Sequence, residues 1–181
     1  MRVLIPLADG VEELEAVTVI DILRRGGVDV TSAALGATLP VKGSHSITLL
    51  ADACWASLDT DAFDALVLPG GGKGTDTLLS DARVIEAVQA FDEAGKCVAA
   101  LCAAPTVLAK AGILKNRKAT CYPTVASQLG KSYDDAPVIA DGNVITSQGP
   151  GTAMLFALVL VQHLAGEEAA HRVADGLLTQ F

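Results

Sequence analysis

One cysteine stands where an apolar run meets an alanine-rich helix pattern, in the stretch VAALCAAPTVLAKAG at residues 98–112. Cys102 directly follows the predicted strand, and Pro105 suits the first turn of the helix, where its missing N–H is not needed. A helix N-terminus beside a thiol favours the thiolate. The position therefore predicts a nucleophile, but a free cysteine is also a common core residue, and this stretch alone leaves both interpretations open.

Carboxylates follow the first apolar run of the chain, in the stretch GVEELEAV. Helical spacing places Glu13 and Glu15 on opposite edges of the apolar stripe, so either side chain can be half buried. A desolvated glutamate has a raised pKa, and once protonated it can donate a hydrogen bond to a thiolate. Acids in a first helical turn also simply complement the helix dipole, which is the alternative to a role in chemistry.

A run of glycines ends another apolar stretch, in PGGGKGT at residues 69–75. It lacks the G-x-x-x-x-G-K-[ST] spacing of a phosphate loop, so the sequence does not predict a nucleotide site. Glycines at a strand end also let backbone N–H groups face a developing negative charge, as in an oxyanion hole. An ordinary flexible turn is the other interpretation.

Strand and helix patterns alternate along the chain, which predicts an α/β fold with a mostly parallel sheet covered on both faces. Two stretches, PVKGSHSITLLAD and PVIADGNVITS, predict hairpins. Ligands bind such sheets at the carboxyl ends of the strands, so the acids, the glycine turn and Cys102 are expected to share one pocket. The predicted strands are RVLIPL, VDVTSAAL, DALVLPGGG, KCVAAL and a short ATCYP; helices are predicted at about 14–25, 81–94 and 103–111, and after Gly151 and Gly166.

Length, charge and cysteine usage limit the possible functions. A chain of 181 residues, 51% of them hydrophobic, predicts one domain over residues 1–181. The net charge of -8 argues against nucleic acid or an anionic membrane as the main partner. The longest apolar run, at 153–161, is far too short for a membrane span, and the N-terminus does not read as a signal peptide. Four cysteines without metal-ligand spacing predict no metal site and free thiols in a reducing cytoplasm.

Four stretches, in this order along the chain, resemble the ThiJ/PfpI superfamily: GVEELEAVTVIDILRRGG, ALVLPGGGKG, VAALCAAPTVLA and TSQGPGTA. The similarity is to the branch of the Parkinsonism-associated protein, and most closely to its bacterial YajL-like members. It implies a flavodoxin-like three-layer sandwich that assembles as a homodimer and carries a reactive cysteine at a nucleophile elbow.

The resemblance also assigns the candidate site. Cys102 matches the reactive elbow cysteine, and Glu15, rather than Glu13, matches the acid that hydrogen-bonds it. The backbone oxyanion donors match Gly70, Gly71 and Ala103, and the loop that lines the pocket matches Ser147, Gly149 and Pro150.

The chain departs from relatives of this superfamily at three positions. Ala103 stands where the protease and amidotransferase relatives place a histidine, which argues against a peptidase. Tyr122 replaces a histidine of some close relatives, and a phenol is a poor general base at neutral pH although it can donate a hydrogen bond. Proton transfer is thereby left to Glu15, Cys102 or water. His45 stands where relatives often carry an arginine that reaches the neighbouring subunit's cysteine site; an exposed hairpin histidine is the alternative.

Three functions compete on this basis. The first is a cofactor-independent glyoxalase or deglycase, in which the Cys102 thiolate attacks methylglyoxal, glyoxal or their adducts on proteins. The second is a redox-sensing stress chaperone, in which Cys102 is oxidised to sulfenic and sulfinic acid. The third is an amidase or peptidase of the wider superfamily. The expected partners are a small reactive carbonyl or a glycated protein and a second copy of the chain.

Overall fold

A computed structural model describes residues 1–181, and its centre is a seven-stranded sheet in the order β5-β2-β1-β6-β7-β9-β8. All neighbouring strands are parallel except β8 and β9, which form the predicted antiparallel hairpin. A second hairpin, β3 with β4, stands apart from this sheet. The strands are β1 Arg2–Leu7, β2 Asp29–Ala34, β3 Pro40–Lys42, β4 Thr48–Leu50, β5 Ala53–Cys54, β6 Ala65–Leu68, β7 Cys97–Leu101, β8 Val138–Asp141 and β9 Val144–Ser147.

Six helices cover the two faces of the sheet, which confirms the predicted three-layer α/β architecture. On one face the core side chains come from α1, α5 and α6, and on the other from α2, α3 and α4. The central strands β6 and β7 are buried along their whole length because both of their faces are covered, so they read as continuous apolar runs. The helices are α1 Glu13–Arg25, α2 Gly72–Ser80, α3 Ala82–Glu93, α4 Pro105–Ala111, α5 Ala153–Ala165 and α6 Glu167–Gly176.

Two elements differ from the sequence-based expectation. The glycine-rich stretch after β6 continues directly into α2, which was not predicted because glycine has a low helix propensity. Burial of Leu78 against α3 and α4 compensates for that propensity. The stretch ATCYP is not a strand: Ala119 makes only an isolated bridge to Tyr133, and Pro123 begins a 3-10 turn.

The carboxyl ends of β1, β6 and β7 lie side by side, because these strands are adjacent and parallel. Their exits lead into the α1 N-terminus, the Gly70-Gly71 turn and Cys102 respectively. The convergence predicted from the strand ends is therefore present. No helix of the chain combines the length and apolar character needed to cross a membrane.

Candidate active site

Cys102 occupies a tight elbow between β7 and α4. Its φ of 61° lies in the left-handed region, which costs a residue other than glycine about 1–3 kcal/mol. Two backbone hydrogen bonds hold this conformation: the Cys102 N–H donates to the Ser147 carbonyl at 3.0 Å, and the Tyr122 N–H donates to the Cys102 carbonyl at 2.7 Å. The elbow shifts the start of α4 to Pro105, two residues later than predicted. It leaves the thiol partly exposed at the edge of the sheet.

The turn after β6 requires glycine at two successive positions. Gly71 has a φ of 93°, and a Cβ there would collide with the Gly10 carbonyl oxygen and the Glu12 nitrogen. A Cβ on Gly70 would lie 2.6 Å from the Cys102 Cβ and 2.7 Å from the Glu15 Oε2. The absence of side chains therefore lets the turn, the acid and the thiol approach one another closely.

Glu15 is the third residue of α1 and is completely buried. Its Oε2 accepts a hydrogen bond from the Gly70 N–H at 2.9 Å, while its buried Oε1 makes no well-formed hydrogen bond. Burial raises the pKa of this carboxyl to about 7, against the lowering effect of its contacts with the Cys102 thiol and the Gly70 N–H. Near neutral pH a substantial fraction of Glu15 therefore carries a proton, as the sequence predicted for a desolvated acid.

The thiol does not behave as the helix N-terminus alone would suggest. Burial, then the negative charge and hydrogen bond of Glu15, raise the pKa of Cys102 to about 12, whereas the N–H groups of Gly71 and Ala103 lower it. The expectation of a thiol with a depressed pKa is therefore wrong while Glu15 is ionised. Because two negative charges in this buried space are disfavoured, the Glu15 carboxyl and the Cys102 thiol together lose one proton near neutral pH and retain the second to much higher pH. The carboxyl and the thiol therefore titrate as a coupled pair, in which the remaining proton can sit on either group.

Two backbone donors face the sulfur, rather than the three that the resemblance implied. The N–H groups of Gly71 and Ala103 point to Cys102, and neither donates to another backbone carbonyl. The Gly70 N–H is already committed to Glu15, so Gly70 positions the acid instead of serving as an oxyanion donor. A pair of N–H groups in a half-buried site can stabilise an anion that forms next to the sulfur.

The loop after β9 closes the other side of the site. Gly149 lies next to both Cys102 and Tyr122, because a Cβ built on it would stand 3.9 Å from the sulfur and 3.2 Å from the tyrosine Cδ2. Ser147 does not offer its hydroxyl to the pocket: its Oγ donates to the Pro137 carbonyl at 2.8 Å and lies 2.7 Å from the Thr152 Oγ1.

The sequence analysis does not predict that Thr152 holds this loop in place. The Gly149 N–H donates to the Thr152 Oγ1 at 3.1 Å, which fixes the loop beside the sulfur. The clustered Ser and Thr residues in TSQGPGTA were the available signal. Pro150 begins the 3-10 turn that leads into α5, and its role is to shape the loop.

His45 lies in the β3-β4 hairpin, and within one chain it contacts α1 rather than Cys102. Its Nδ1 is 3.1 Å from the Glu13 Oε2 and 3.4 Å from the Glu12 Oε2. Glu13 also accepts the N–H groups of His45 and Ile47, at 2.8 and 3.1 Å. Burial alone would raise the pKa of Glu13, but these hydrogen bonds hold it at about 2. Glu13 is thus a permanently charged clamp between helix and hairpin.

The same cluster supplies the one set of side chains with metal-ligand spacing, since Glu12, Glu13 and His45 offer ligand atoms within 4.8 Å of one another. Its Oε2 oxygens are already engaged, because the Ser44 Oγ lies 2.9 Å from the Glu12 Oε2 and 3.1 Å from the Glu13 Oε2 and donates its single proton between them. The arrangement is therefore satisfied as a hydrogen-bonded clamp. Sequence reasoning weighed Glu13 only as an alternative to Glu15 and could not see this hairpin partner.

Comparison with known proteins accords with this geometry. The profile described as DJ-1/PfpI family matches residues 1–163. The chain is 42% identical to Protein dj-1beta of Drosophila melanogaster over 98% of its length and 97% of that protein. It is 36% identical to the glutathione-independent glyoxalase DJR-1.2 of Caenorhabditis elegans, over 97% and 94% of the two chains. The structure of oxidised Toxoplasma gondii DJ-1 superposes with a TM-score of 0.96 at 33% identity, covering 99% of both chains. The superfamily and branch predicted from the motifs are confirmed, and the narrower similarity to bacterial members stays a prediction.

Proposed function

Because the chain belongs to the DJ-1/PfpI family, we propose that it is a cysteine-dependent enzyme acting on methylglyoxal, glyoxal or their adducts on proteins. The observation that carries the proposal is the Cys102 thiol in contact with the buried Glu15 and faced by the N–H groups of Gly71 and Ala103. A relative whose name is glutathione-independent glyoxalase supports the same assignment. Hydroxyacids are the expected products.

The reaction begins when the pair holds one proton and that proton resides on Glu15. The Cys102 sulfur forms a bond to the aldehyde carbon, and the carbonyl electron pair becomes an oxyanion that the Gly71 and Ala103 N–H groups stabilise. Glu15 protonates this oxygen to give a hemithioacetal, and then, as the carboxylate, accepts the proton from the former aldehyde carbon.

The resulting enediolate takes that proton back from Glu15 at the neighbouring carbon, and the hydroxyl proton of the first carbon passes to the oxygen of the second, which leaves a hydroxyacyl thioester on Cys102. Water cleaves the C–S bond and restores the thiol. The aldehyde carbon is oxidised to an acid while the ketone carbon is reduced to an alcohol, so the net change is the addition of one water to methylglyoxal. These steps use the side chains of Glu15 and Cys102 and the N–H groups of Gly71 and Ala103, and none of them calls for a metal or a nucleotide.

Replacement of single cysteines tests this proposal. Cys102→Ser should reduce lactate formation from methylglyoxal to the buffer rate, because a serine hydroxyl beside a carboxyl of pKa about 7 is not ionised. Cys54→Ser is the matched control, since Cys54 is also a partly exposed free thiol but lies on the edge strand β5. Lactate is measured enzymatically against time. Retained turnover in Cys102→Ser, or equal losses in both variants, would refute the proposal.

We further propose a homodimer whose interface adjoins this site. Exposed apolar side chains cluster on α1, on the β3-β4 hairpin and at the start of α5, and a second copy of the chain is the occupant that we propose for them. They are Leu14, Val17, Ile47, Leu50, Met154 and Leu155. Sedimentation at micromolar concentration that gave only the 18.5 kDa monomer would contradict this.

The proposal takes residues 1–181 as one domain in the cytoplasm. A single sheet carries every element of the site, and all four cysteines are unpaired, which suits a reducing compartment. Recovery of the native protein with disulfide-linked cysteines would contradict the cytoplasmic placement.

A redox-sensing role is the second candidate, because the two N–H groups that face an oxyanion would equally accommodate a sulfinate on Cys102. Mild peroxide should then oxidise Cys102 before Cys54, Cys97 and Cys121, of which the last two are buried. Peptide mass spectrometry reports the order, and earlier oxidation of any other cysteine would exclude this role. The amidase or peptidase alternative is not supported by a neighbouring base, since His45 contacts Glu13 while His163 and His171 lie on α5 and α6.

A further inference from the structure

A second cavity lies at the carboxyl edge of the sheet, and Cys102 does not line it. Its volume is about 370 Å³. The chain passes from β1 to β2 on one side and returns to β6 on the other, so the strand order reverses at β1. Open α/β sheets bind ligands outside the strand ends at such a point, in clefts of about this size. The lining includes Leu7 of β1, Leu35 after β2, Val41 of β3, and the charged residues Asp9, Lys73 and Asp81.

The cavity has an apolar floor and a charged rim. Leu7, Leu35 and Val41 are buried beneath it. Asp9 and Lys73 are exposed and belong to the exit of β1 and the first turn of α2 respectively. Apolar walls with a few convergent polar groups are typical of small-molecule sites.

Lys73 is held at the cavity by its stem. A Cβ on Gly10, whose φ is 88°, would lie 2.6 Å from the Lys73 Cβ and 3.0 Å from its Cγ. The first carbons of the lysine side chain therefore rest directly on the glycine that follows Asp9. Thr77 donates to the Lys73 backbone carbonyl at 3.2 Å, whereas the Lys73 ammonium has no partner in the protein. Its positive charge is thus unmatched.

The two carboxylates of the cavity differ in their partners. Arg83 donates to the Asp81 Oδ1 from its N–H and Nε, each at 3.0 Å, and to Oδ2 from Nη2 at 2.6 Å, so the charge of Asp81 is matched. Asp9 accepts only the Lys42 backbone N–H, on Oδ1 at 2.9 Å, and its Oδ2 has no donor. Asp9 and Lys73 form no ion pair with each other. The cavity therefore presents one unmatched anion and one unmatched cation.

We propose that this cavity binds a free α-amino acid with an apolar side chain. The ammonium group of the ligand pairs with Asp9 and its carboxylate with Lys73, so both charges of the cavity are matched by charge-assisted hydrogen bonds. The side chain of the ligand covers Leu7, Leu35 and Val41 and removes their apolar surface from water. A simple anion would leave Asp9 without a partner, and a simple amine would leave Lys73 without one. Binding makes no use of Cys102 and is independent of the glyoxalase reaction.

Isothermal titration calorimetry of the full chain with L-leucine, leucinamide and N-acetyl-leucine tests the ligand class. L-leucine should bind at one site, and each analogue should bind about tenfold more weakly or worse, because it carries only one of the two charges. Glycine keeps both charges but has no side chain, so it should also bind more weakly. Equal affinities of L-leucine and either analogue would overturn the proposal. So would the absence of binding by L-leucine, L-methionine and L-phenylalanine up to about 10 mM.

Substitutions then locate the site. Asp9→Asn keeps an acceptor for the Lys42 N–H, and Lys73→Met keeps most of the stem, so each should weaken L-leucine binding about tenfold through loss of charge alone. Asp76→Asn is the matched control, because Asp76 is an exposed carboxylate on α2 that does not line the cavity. This control and Cys102→Ser should bind as the wild type does. Unchanged affinity in Asp9→Asn and Lys73→Met, or an equal loss in Asp76→Asn or Cys102→Ser, would refute the assignment.

Discussion

Replacing Glu15 with glutamine should change how the stability of the fold depends on pH. Glu15 is completely buried, and its pKa is raised from the ordinary value of 4.5 to about 7. At about 1.36 kcal/mol per pH unit, this difference corresponds to about 3 kcal/mol of preference for the protonated form in the folded state. Glutamine is isosteric and cannot ionise, so Glu15→Gln removes that preference while its amide can still accept the Gly70 N–H.

The number of protons bound by the folded and unfolded chains determines whether stability rises or falls with pH. Between pH 4.5 and about 7 the folded chain retains a proton on Glu15 that the unfolded chain has lost, so the free energy of unfolding falls as the pH rises. Below this window Glu15 does not lower the free energy of unfolding, and above it the full loss of about 3 kcal/mol is present. From pH 5 to pH 8 the wild type should therefore lose about 2.5 kcal/mol relative to Glu15→Gln.

Urea unfolding at pH 5, 6, 7 and 8, under reducing conditions and at one protein concentration, measures this difference. Glu13→Gln is the matched control on the same helix. Because the pKa of Glu13 is lowered from 4.5 to about 2, the folded wild type is ionised at this residue from pH 5 to pH 8, and the unfolded chain is largely ionised there as well. Glu13→Gln should therefore destabilise by an amount that does not vary with pH, since it weakens the acceptor of the His45 and Ile47 N–H groups.

The difference in the free energy of unfolding between wild type and variant should therefore change with pH for Glu15→Gln and stay flat for Glu13→Gln. A flat difference for Glu15→Gln from pH 5 to pH 8 would show that Glu15 is ionised at no cost, and the shared-proton account of the site would then be wrong. A difference of the opposite slope would mean that the charged form is favoured, which the burial of this carboxyl does not allow.

Two further predictions concern the turn and the thiol. Gly71→Ala should lower the free energy of unfolding by about 2 kcal/mol or more in a thermal or urea experiment, because the positive φ of Gly71 and its contact with Gly10 exclude a Cβ. Gly72→Ala is the control, and because open space surrounds Gly72 it should be neutral or stabilise the fold by up to about 1 kcal/mol. Similar effects of both substitutions would contradict this prediction. The rate at which iodoacetamide alkylates Cys102, followed by mass spectrometry, should rise with pH through about 7 and then level off, because the Glu15–Cys102 pair gives up its first proton there. In Glu15→Gln the rate should show no step near pH 7. The same profile in both proteins would refute a shared proton.

The sequence predicts the sheet and most helices because hydrophobic periodicity records which faces are buried. It fails where a tertiary contact overrides a local preference. The helix α2 begins within glycines and is stabilised by the burial of Leu78. The stretch ATCYP has strand-like residues, but Tyr122 is drawn to the Cys102 carbonyl and Pro123 cannot donate to a neighbouring strand.

In the candidate site, the sequence indicates which residues take part, but their roles depend on tertiary contacts. Periodicity could not choose between Glu13 and Glu15, and both prove to be buried. Their opposite pKa values arise from partners far along the chain: a hairpin more than 30 residues away surrounds Glu13 with donors, while Glu15 receives a single backbone N–H and faces a thiol. Likewise, Gly70 and Gly71 were assigned one role, but their backbone conformations aim one N–H at the acid and the other at the sulfur.

Catalysis and redox sensing make different demands on the same pair, although both use Cys102 and its two N–H donors. Sensing needs Glu15 only to donate a hydrogen bond to an oxidised sulfur, which a glutamine amide can also do. The glyoxalase reaction needs Glu15 to give a proton to one atom and to take a proton from another, which an amide cannot do. A carboxyl whose pKa lies at about 7 is suited to exchanging protons near neutral pH, and a permanently neutral donor would serve a sensor equally well. The raised pKa of Glu15, set by its complete burial beside the thiol, is therefore the feature that favours an enzyme.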